Sequence, residues 1–546
     1  MITTSHFAVV CAVLLVAGIC GGQEITWKAA GKNGAVATGG KGAAAAGLEI
    51  LKSGGNAADA AAATMLALSV TDSELFCFGS EAPIIVYDAK RKVVEVICGQ
   101  GGAPRLATRE YFARKGGIPK SGVEAAAVPG FLDACLTMLD RYGTKRFEDV
   151  VTPTLKLLDQ NAKPWHGLLA KTLRRLVEAE RGSAPDRARG LRLVADYFYR
   201  GPIARELDEW CSKNGGLIRY VDLATHATRI EEPVVAGYRG HRIYKCGPWT
   251  QGPYALQTMQ LLEGFDLKGL GQGSAASIHL IVESMKLALA DRDVYYADPS
   301  FVEVPLRELL AEQYVYARRG LIDLQKASLE LRPGDPRNGK AALERSNVPF
   351  GAKGKVNDTT TCLTADRWGN VVAATPSGWS GVQAGETGIW LGSRLQSLNI
   401  WQGHPNCIEP GKRPRITLTP TLVMKDGKPV LAISVAGGDA QDQATIQMLT
   451  NYIDFGLGVE KLVTTPRYTT DHMVGSFGQT APVLAGLNMS EGFDAKLIAE
   501  LKARGHKVKL SPRGPGYDRV VIEIDAATGE MRAAGDPNSG RHVAAD

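Results

Sequence analysis

One threonine of this chain, Thr359, combines residue type and position in a way that suits nucleophilic chemistry. Residues 358–362 read Asp-Thr-Thr-Thr-Cys and begin a predicted strand directly after a linker rich in glycine and proline, residues 331–358. A threonine hydroxyl is a weak nucleophile and needs an adjacent base. If the Asp358–Thr359 peptide bond is cut, the new α-amine, with a reference pKa of about 7.7–8.0, can be that base. The segment is compatible with a nucleophilic Thr359, although most Thr-rich strand starts only favour strand formation.

A glycine pair offers a second catalytic element. Gly437 and Gly438 end a predicted hairpin, residues 419–438, and precede a predicted helix, residues 442–456. Backbone N–H groups at such a turn can converge on one point and stabilise an oxyanion, each contributing roughly 10²–10³ in rate. The pair is therefore a candidate oxyanion hole, although Gly-Gly more commonly forms a simple tight turn.

Strands and helices must hold these groups in place, and the sequence predicts both. A strand at residues 35–38 leads through glycines into two Ala-rich helices, the second with Asn56 as its N-cap. Further hairpins are predicted at residues 82–98 and 518–535. Residues 104–330 are predicted to be mainly helical from their periodicity.

Composition and charge exclude several classes of function. The chain has 546 residues, of which 45% are hydrophobic and 22% charged, an ordinary globular composition. Its net charge of +6 comes from 63 basic and 57 acidic residues that are scattered, so we expect no nucleic acid or membrane surface as partner. Histidines and cysteines are dispersed without HExxH or CxxC, so we expect no metal and no cofactor.

The N-terminus predicts export. Residues 7–18 form an apolar run followed by small residues, which indicates a signal peptide over residues 1–23, although no Lys or Arg precedes the run. We therefore expect a secreted or periplasmic protein with no membrane span in the mature chain. Cys11 and Cys20 lie in this segment, and the seven remaining cysteines are too spread out for a dense disulfide framework.

Several ordered motifs resemble the gamma-glutamyltranspeptidase family over nearly the whole mature chain. VATGGKGAAAAGLEILKSGGNAADAAAATMLALSVTD is similar to the family's N-terminal signature, and AAAVPGFLDACLTMLDRYG and SMKLALADRDVYYADPSFVEVP to its large-subunit motifs. DTTTCLTADRWGNVVAAT resembles the cleavage site and nucleophile strand. GKRPRITLTPTLV and SVAGGDAQ resemble the substrate-binding and oxyanion segments. Several such motifs in order are far more specific than any one of them.

The resemblance implies a fold and a processing event. The fold is the α+β, four-layer αββα sandwich of N-terminal-nucleophile hydrolases. The chain would cut itself between Asp358 and Thr359 into a large subunit, residues 24–358, and a small subunit, residues 359–546. The two subunits would remain one intertwined catalytic domain.

The resemblance also implies catalytic roles. Thr359 would attack an amide, form an acyl-enzyme and pass the acyl group to water or an acceptor amine. Gly437 and Gly438 would hold the oxyanion. Ser377 stands where the family usually has a threonine that hydrogen-bonds the nucleophile, and Thr360 matches the family's second threonine.

Substrate recognition is where the sequence departs from the family. Gln100 aligns with the large-subunit arginine that grips the glutamyl carboxylate. Arg394 and Ser397 align with the Gln and Asp that hold the α-amino group, and Ile416 and Thr417 with the paired serines of the carboxylate site. A desolvated amino-acid head group needs charged partners on both sides, and this set has no acidic member.

Two hypotheses follow for the acyl donor. In the first, the donor is a γ-glutamyl group. In the second, Arg394 binds a carboxylate on a different amide, as in family relatives that hydrolyse oxamate or acylated β-lactam side chains. In the competing interpretation, Arg394 is a solvated loop residue and the gapless alignment with the family is out of register.

Two other classes of function remain open from sequence alone. The segment GGKGAAAAG after a strand loosely matches a dinucleotide-binding turn, but a lone match is weak and no downstream acidic residue ends a second parallel strand. A secreted homologue without catalytic activity is the other alternative, and the presence of Thr359, Ser377 and the glycine pair argues against it.

Overall fold

The computed structural model describes residues 25–182, 185–343, 350 and 358–546. The predicted signal peptide, residues 1–23, and residues 344–349 and 351–357 of the predicted linker lie outside these residues. The helices are α1 Lys41–Lys52, α2 Ala57–Thr71, α3 Arg109–Arg114, α4 Phe131–Tyr142, α5 Phe147–Asp159, α6 His166–Arg181, α7 Arg187–Tyr199, α8 Pro202–Lys213, α9 Tyr220–Ala224, α10 Gly252–Leu262, α11 Leu267–Leu270, α12 Ala275–Tyr295, α13 Leu306–Leu309, α14 Glu312–Arg319, α15 Ala440–Ile453, α16 Val459–Thr464 and α17 Ala495–Ala503.

The strands are β1 Lys28–Gly31, β2 Gly34–Thr38, β3 Ile84–Asp88, β4 Val93–Cys98, β5 Arg229–Glu231, β6 Val234–Tyr238, β7 His241–Lys245, β8 Cys362–Asp366, β9 Val371–Ala374, β10 Thr421–Lys425, β11 Lys428–Ala436, β12 Tyr468–Thr470, β13 Gly486–Ser490, β14 Lys507–Ser511, β15 Asp518–Ile524, β16 Met531–Gly535 and β17 His542–Ala545. They form two seven-stranded antiparallel sheets. The first sheet has the order β17-β2-β8-β9-β3-β4-β5, and the second has the order β1-β16-β15-β11-β10-β7-β6. A small third sheet joins β12, β13 and β14.

The two large sheets pack face to face, and each is covered by helices on its outer side. Alternation along β8 shows how: Leu363 and Ala365 enter the core between the sheets, whereas Cys362 packs in the core beneath the helices. Thr364, also on the helix side, donates from its hydroxyl to the carbonyl of Ala57 in α2 at 2.7 Å. Successive side chains of a strand point to opposite faces, so strands buried on both faces build a four-layer sandwich. The predicted α+β, αββα fold is confirmed.

The Ala-rich helices α1 and α2 lie close together against the first sheet. A Cβ atom on Gly47 of α1 would stand only 2.2 Å from the hydroxyl of Thr64 in α2, so the helices touch through a residue without a side chain. The predicted N-cap is confirmed: the Asn56 side chain accepts from two backbone N–H groups, and Asp59 returns a bond to the Asn56 backbone. This tight helical layer supports the strand that begins after Thr359.

The tertiary structure adds to one prediction from local pattern and overturns another. Residues 104–330 are mainly helical, as predicted, but β5, β6 and β7 also lie inside them and extend both sheets. These strands have three to five residues each, which is too short for their alternation to stand out from the surrounding helical periodicity. The dinucleotide-binding alternative is wrong, since β2, which precedes the glycine turn, pairs antiparallel with β8 and β17 rather than parallel with a following strand.

The three predicted hairpins are confirmed. The hairpins β3–β4, β10–β11 and β15–β16 form where alternation and turn residues placed them. The seven cysteines in the described part of the chain are buried and free. Among the described residues, no helix combines the length and the apolar character needed to cross a membrane.

Candidate active site

Thr359 lies at the end of three neighbouring strands of the first sheet. The backbone of Ser377, just after β9, forms bridges to Thr359 ahead of β8 on one side and to Glu81 ahead of β3 on the other. Strand order β8-β9-β3 therefore brings three distant segments of sequence together. Thr359 is buried, with 6% of its surface exposed, and Ser377 is fully buried.

The hydroxyl of Ser377 lies between the threonine hydroxyl and the peptide bond that precedes it. Ser377 Oγ is 3.1 Å from Thr359 Oγ1 and donates a short hydrogen bond to the carbonyl oxygen of Asp358. The N–H of Gly378 donates to the same carbonyl at 3.0 Å. Two donors on one carbonyl oxygen polarise the bond and stabilise negative charge that develops there. The Asp358–Thr359 peptide thus has the donors that an attack on its carbonyl carbon requires.

Arg394 approaches Ser377 from a 3-10 helix, Arg394–Ser397. Its Nη2 donates to Ser377 Oγ at 2.6 Å, and its Nε donates to Glu81 Oε1 at 2.5 Å. Both charged side chains are buried, with 0% of Arg394 and 3% of Glu81 exposed. The interpretation of Arg394 as a solvated loop residue is therefore wrong. Backbone pairing of Gly392 with Gly79 at 3.1 Å places the segment beside Glu81.

Burial dominates the electrostatics of this group. Loss of solvation raises the pKa of Glu81 to about 7, against the opposing attraction of Arg394. The pKa of Arg394 is raised by Glu81 and by Asp358, which outweigh its own burial. The carboxylate of Asp358 also accepts from the hydroxyl of Ser393 at 3.0 Å. Two carboxyl groups and one guanidinium thus lie around the hydroxyl pair.

Thr360 is held in a separate polar network. Its hydroxyl donates to Asp72 at 2.7 Å and accepts from Arg541 at 3.0 Å, while Arg541 also donates to Asp518 at 2.7 Å. The carbonyl of Pro376 accepts from the Thr360 backbone N–H at 2.9 Å. This network connects the C-terminal strand region to the residue next to Thr359 and fixes the backbone there.

The glycine pair occupies the turn that the sequence predicts. Gly437 and Gly438 lie between β11 and α15, with φ angles of 137° and 58°. A Cβ atom on Gly437 would come within 2.7 Å of the carbonyl oxygen of Gly516, so this turn requires glycine. Ser434, three residues earlier on β11, bonds the hydroxyl of Thr375 at 2.9 Å and so joins this strand to the first sheet.

The predicted substrate-binding residues Gln100, Ser397 and Thr417 are all buried. Gln100 donates to the carbonyl of Pro414 at 2.8 Å and lines a cavity of about 410 Å³, whose described lining residues include neither Thr359 nor Arg394. The Ser397 hydroxyl has no hydrogen-bond partner within the described residues. Thr417 is near Gln441. When the nitrogen and oxygen of the Gln441 side-chain amide are exchanged, the amide nitrogen donates to the Thr417 carbonyl and the amide oxygen accepts from the Gly438 N–H, each at 3.2 Å.

A group of possible metal ligands lies away from these residues. His279, Glu283 and His506 place one ligand atom each within 4.8 Å of one another. The two imidazoles already share a hydrogen bond of 2.8 Å, and Glu283 forms ion pairs with Lys286 at 2.5 Å and Arg332 at 3.6 Å. These cations oppose the binding of another positive charge.

Sequence reasoning missed three contributors to the site. Glu81, Gly378 and Ser393 carry no motif that marks them as functional. The one available signal was the Glu in FGSEAP, a charged residue directly before a buried apolar strand. A charge at the end of such a strand is expected to have a partner, but only the tertiary structure identifies that partner as Arg394.

Comparisons with known proteins identify the relatives of this chain. The family model for gamma-glutamyltranspeptidase matches residues 43–163 and 161–546. The glutathione hydrolase proenzyme of Bacillus subtilis (strain 168) is 31% identical over 93% of this chain and 90% of its own length. The acylase ACY 1 proenzyme of Pseudomonas sp. (strain SE83) is 31% identical over 93% and 94%. The crystal structure of cephalosporin acylase from Bacillus halodurans superposes with a TM-score of 0.79 at 28% identity, covering 98% of this chain and 99% of that one.

Proposed function

This chain belongs to the gamma-glutamyltranspeptidase family, and from that premise we propose that it is a proenzyme that cuts itself before Thr359 and then uses Thr359 to cleave amides. The observation that carries the proposal is the pair of donors, Ser377 Oγ and Gly378 N–H, on the carbonyl of Asp358. The Gly378 bond belongs to the backbone bridge between Thr359 and Ser377, and the Ser377 hydroxyl adds a second donor to the same oxygen. Two donors on a carbonyl oxygen stabilise the negative charge that develops when a neighbouring hydroxyl attacks its carbon.

The self-cleavage proceeds in two steps. Thr359 Oγ attacks the carbonyl carbon of Asp358, the hydroxyl proton passes to the Thr359 nitrogen, and the C–N bond between Asp358 and Thr359 breaks. The product is an ester between Asp358 and the Thr359 hydroxyl, with a free α-amine. Water then hydrolyses the ester to leave Asp358 as a carboxylate and Thr359 as a new N-terminus. The large subunit then ends at Asp358.

The mature reaction uses the same hydroxyl. The α-amine of Thr359 accepts the proton from Oγ1 as the oxygen attacks the donor amide. The amine product leaves with a proton, and the acyl group remains as an ester on Thr359. Water or an acceptor amine then takes the acyl group. We assign the oxyanion of this step to the turn at Gly437 and Gly438, which remains a prediction.

The acyl donor of the enzyme is a γ-glutamyl group or a related acyl group. A second candidate, a donor without the amino-acid head group, is favoured by one observation. The charge of Arg394 is already balanced by Glu81 in a buried pair, so a substrate carboxylate must displace Glu81 to use it. The relatives include both a glutathione hydrolase and an acylase, which fits either donor.

The N-terminal apolar run supports export of the enzyme, with residues 1–23 removed. Cell fractionation with N-terminal sequencing of the large fragment tests this part. A mature large subunit that still begins at Met1 contradicts it.

Electrophoresis and N-terminal sequencing test the processing. Wild-type protein is expected as two fragments, the smaller starting at Thr359, while Thr359→Ala stays intact and Thr359→Ser is cut. A panel of p-nitroanilides (γ-glutamyl, glutaryl and a neutral acyl) then identifies the donor. Intact wild-type protein that hydrolyses an amide would overturn the mechanism.

A further inference from the structure

Glu81 and Arg394 form a buried ion pair one hydrogen bond away from the peptide bond that precedes Thr359. We propose that Glu81 is a positioning residue for self-cleavage: it holds Arg394 against Ser377, and this contact directs the Ser377 hydroxyl onto the carbonyl of Asp358. The inference rests on the proposed self-cleavage and concerns how its donor is oriented.

The number of donors and acceptors fixes the direction of the hydroxyl. Ser377 Oγ has one proton and two lone pairs, and a guanidinium only donates. Arg394 Nη2 at 2.6 Å therefore occupies one lone pair. The carbonyl of Asp358 only accepts, so the Ser377 proton points to it. The remaining lone pair faces Thr359 Oγ1 at 3.1 Å, which orients the proton of the nucleophile towards Ser377.

The charge of Arg394 also reaches the carbonyl through this hydroxyl. A hydroxyl that accepts from a cation becomes a stronger donor, because hydrogen bonds in a chain polarise one another. Negative charge that develops on the Asp358 oxygen is therefore stabilised by Ser377 more strongly than by an isolated serine. The site excludes most water, so screening of the cation is weak.

Arg394 needs Glu81 in order to stay in this position. Within the described residues, Arg394 Nη1 has no hydrogen-bond partner, so Glu81 and Ser377 are the side chains that hydrogen-bond the guanidinium, which also lies 5.9 Å from the centre of the Phe477 ring. Glu81 itself packs tightly: a Cβ atom on Gly378 would lie 3.2 Å from both of its carboxylate oxygens. Without the Glu81 side chain, Arg394 Nε loses its acceptor, and the guanidinium is expected to turn towards Asp358 or solvent.

The rate of self-cleavage tests the inference. Full-length precursor is made in a short cell-free pulse, and its conversion to two fragments is followed by electrophoresis at pH 7.5. We expect Glu81→Ala to slow conversion by at least about tenfold, less than the 10²–10³ lost with a deleted oxyanion donor. Glu81→Gln keeps an oxygen acceptor of the same shape, so its rate is expected within about threefold of wild type.

A double-mutant cycle separates positioning from general destabilisation. If Glu81 acts through Arg394, Glu81→Ala causes no further slowing in an Arg394→Ala background. Glu283→Ala is the matched control, because Glu283 is also buried and paired with cations, Lys286 and Arg332. It is expected to lower the melting temperature without slowing conversion.

Two results would overturn the inference while leaving the proposed function intact. In the first, Glu81→Ala precursor converts at a rate within threefold of wild type. In the second, the Glu81→Ala, Arg394→Ala double variant is slowed by the product of the two single effects. Tryptophan fluorescence shows whether Glu81→Ala folds. If it does not fold, the inference requires Glu81→Gln to convert at nearly the wild-type rate and Arg394→Ala to convert more slowly. Wild-type precursor that never converts would instead refute the self-cleavage itself.

Discussion

The sharpest prediction concerns the hydroxyl of Ser377. Replacing Ser377 by Ala removes one of the two donors on the Asp358 carbonyl and leaves the Gly378 N–H at 3.0 Å in place. Loss of one preorganised oxyanion donor typically costs about 10²–10³ in rate, or about 2.7–4 kcal/mol of transition-state stabilisation. We therefore expect self-cleavage of Ser377→Ala to slow by this factor without being abolished.

The same substitution has a second, smaller effect on stability. Arg394 Nη2 loses its acceptor at 2.6 Å, and a buried donor without a partner costs about 1–3 kcal/mol. The melting temperature of the uncut precursor is therefore expected to fall by a few degrees. Ser377→Thr keeps the hydroxyl and is expected to retain most of the rate, in line with the threonine that the family usually has at this position.

The assay is the pulse conversion of precursor into two fragments, with Ser434→Ala as matched control. Ser434 is also a buried serine whose hydroxyl bridges two segments, but its partners are Thr375 and the carbonyl of Ala374. It is expected to destabilise the protein without a rate loss of this size. A folded Ser377→Ala precursor that converts within threefold of wild type would refute the assignment of Ser377 as an oxyanion donor.

Three further predictions concern stability. Gly437→Ala is expected to lower the unfolding free energy by about 1–3 kcal/mol, because the φ of 137° and the nearby Gly516 carbonyl exclude a Cβ atom. Chemical denaturation of the purified protein measures this loss. His472 is buried, its pKa is lowered to about 4, mainly by burial, and its Nδ1 accepts from the N–H of Ala485. The unfolding free energy should therefore fall by up to about 3 kcal/mol as the pH drops from 6.5 towards 4, because the unfolded chain binds the proton first. A His472→Gln variant whose unfolding free energy depends on acid pH as the wild type does would contradict this. Lys245→Met should cost about 3–5 kcal/mol, since it leaves the buried carboxylate of Asp442 without its cation at 2.6 Å; a calorimetric loss below 1 kcal/mol would show that the carboxyl is held neutral.

Local sequence determined the elements of this fold. Alternation of apolar residues, glycine turns and the Asn56 cap specify hairpins and helices through contacts a few residues apart, and the structure has them where predicted. The proposed nucleophile, Thr359, was also a prediction from sequence, because a polar linker before a strand of threonines is a local signal. Several motifs in order identified the family, and the comparisons agree.

The tertiary structure alone decided how the site is arranged. Glu81 is far in sequence from Ser377 and Arg394. It meets Ser377 because β3 and β9 are neighbours in one sheet, and it meets Arg394 because Gly392 pairs with Gly79. Whether Arg394 is solvated, binds a ligand or balances a buried charge depends on what lies opposite it, and no local pattern contains that information. Electrostatic partners are chosen by distance in space, so the sequence determined which groups exist and only the fold determined which of them act on each other.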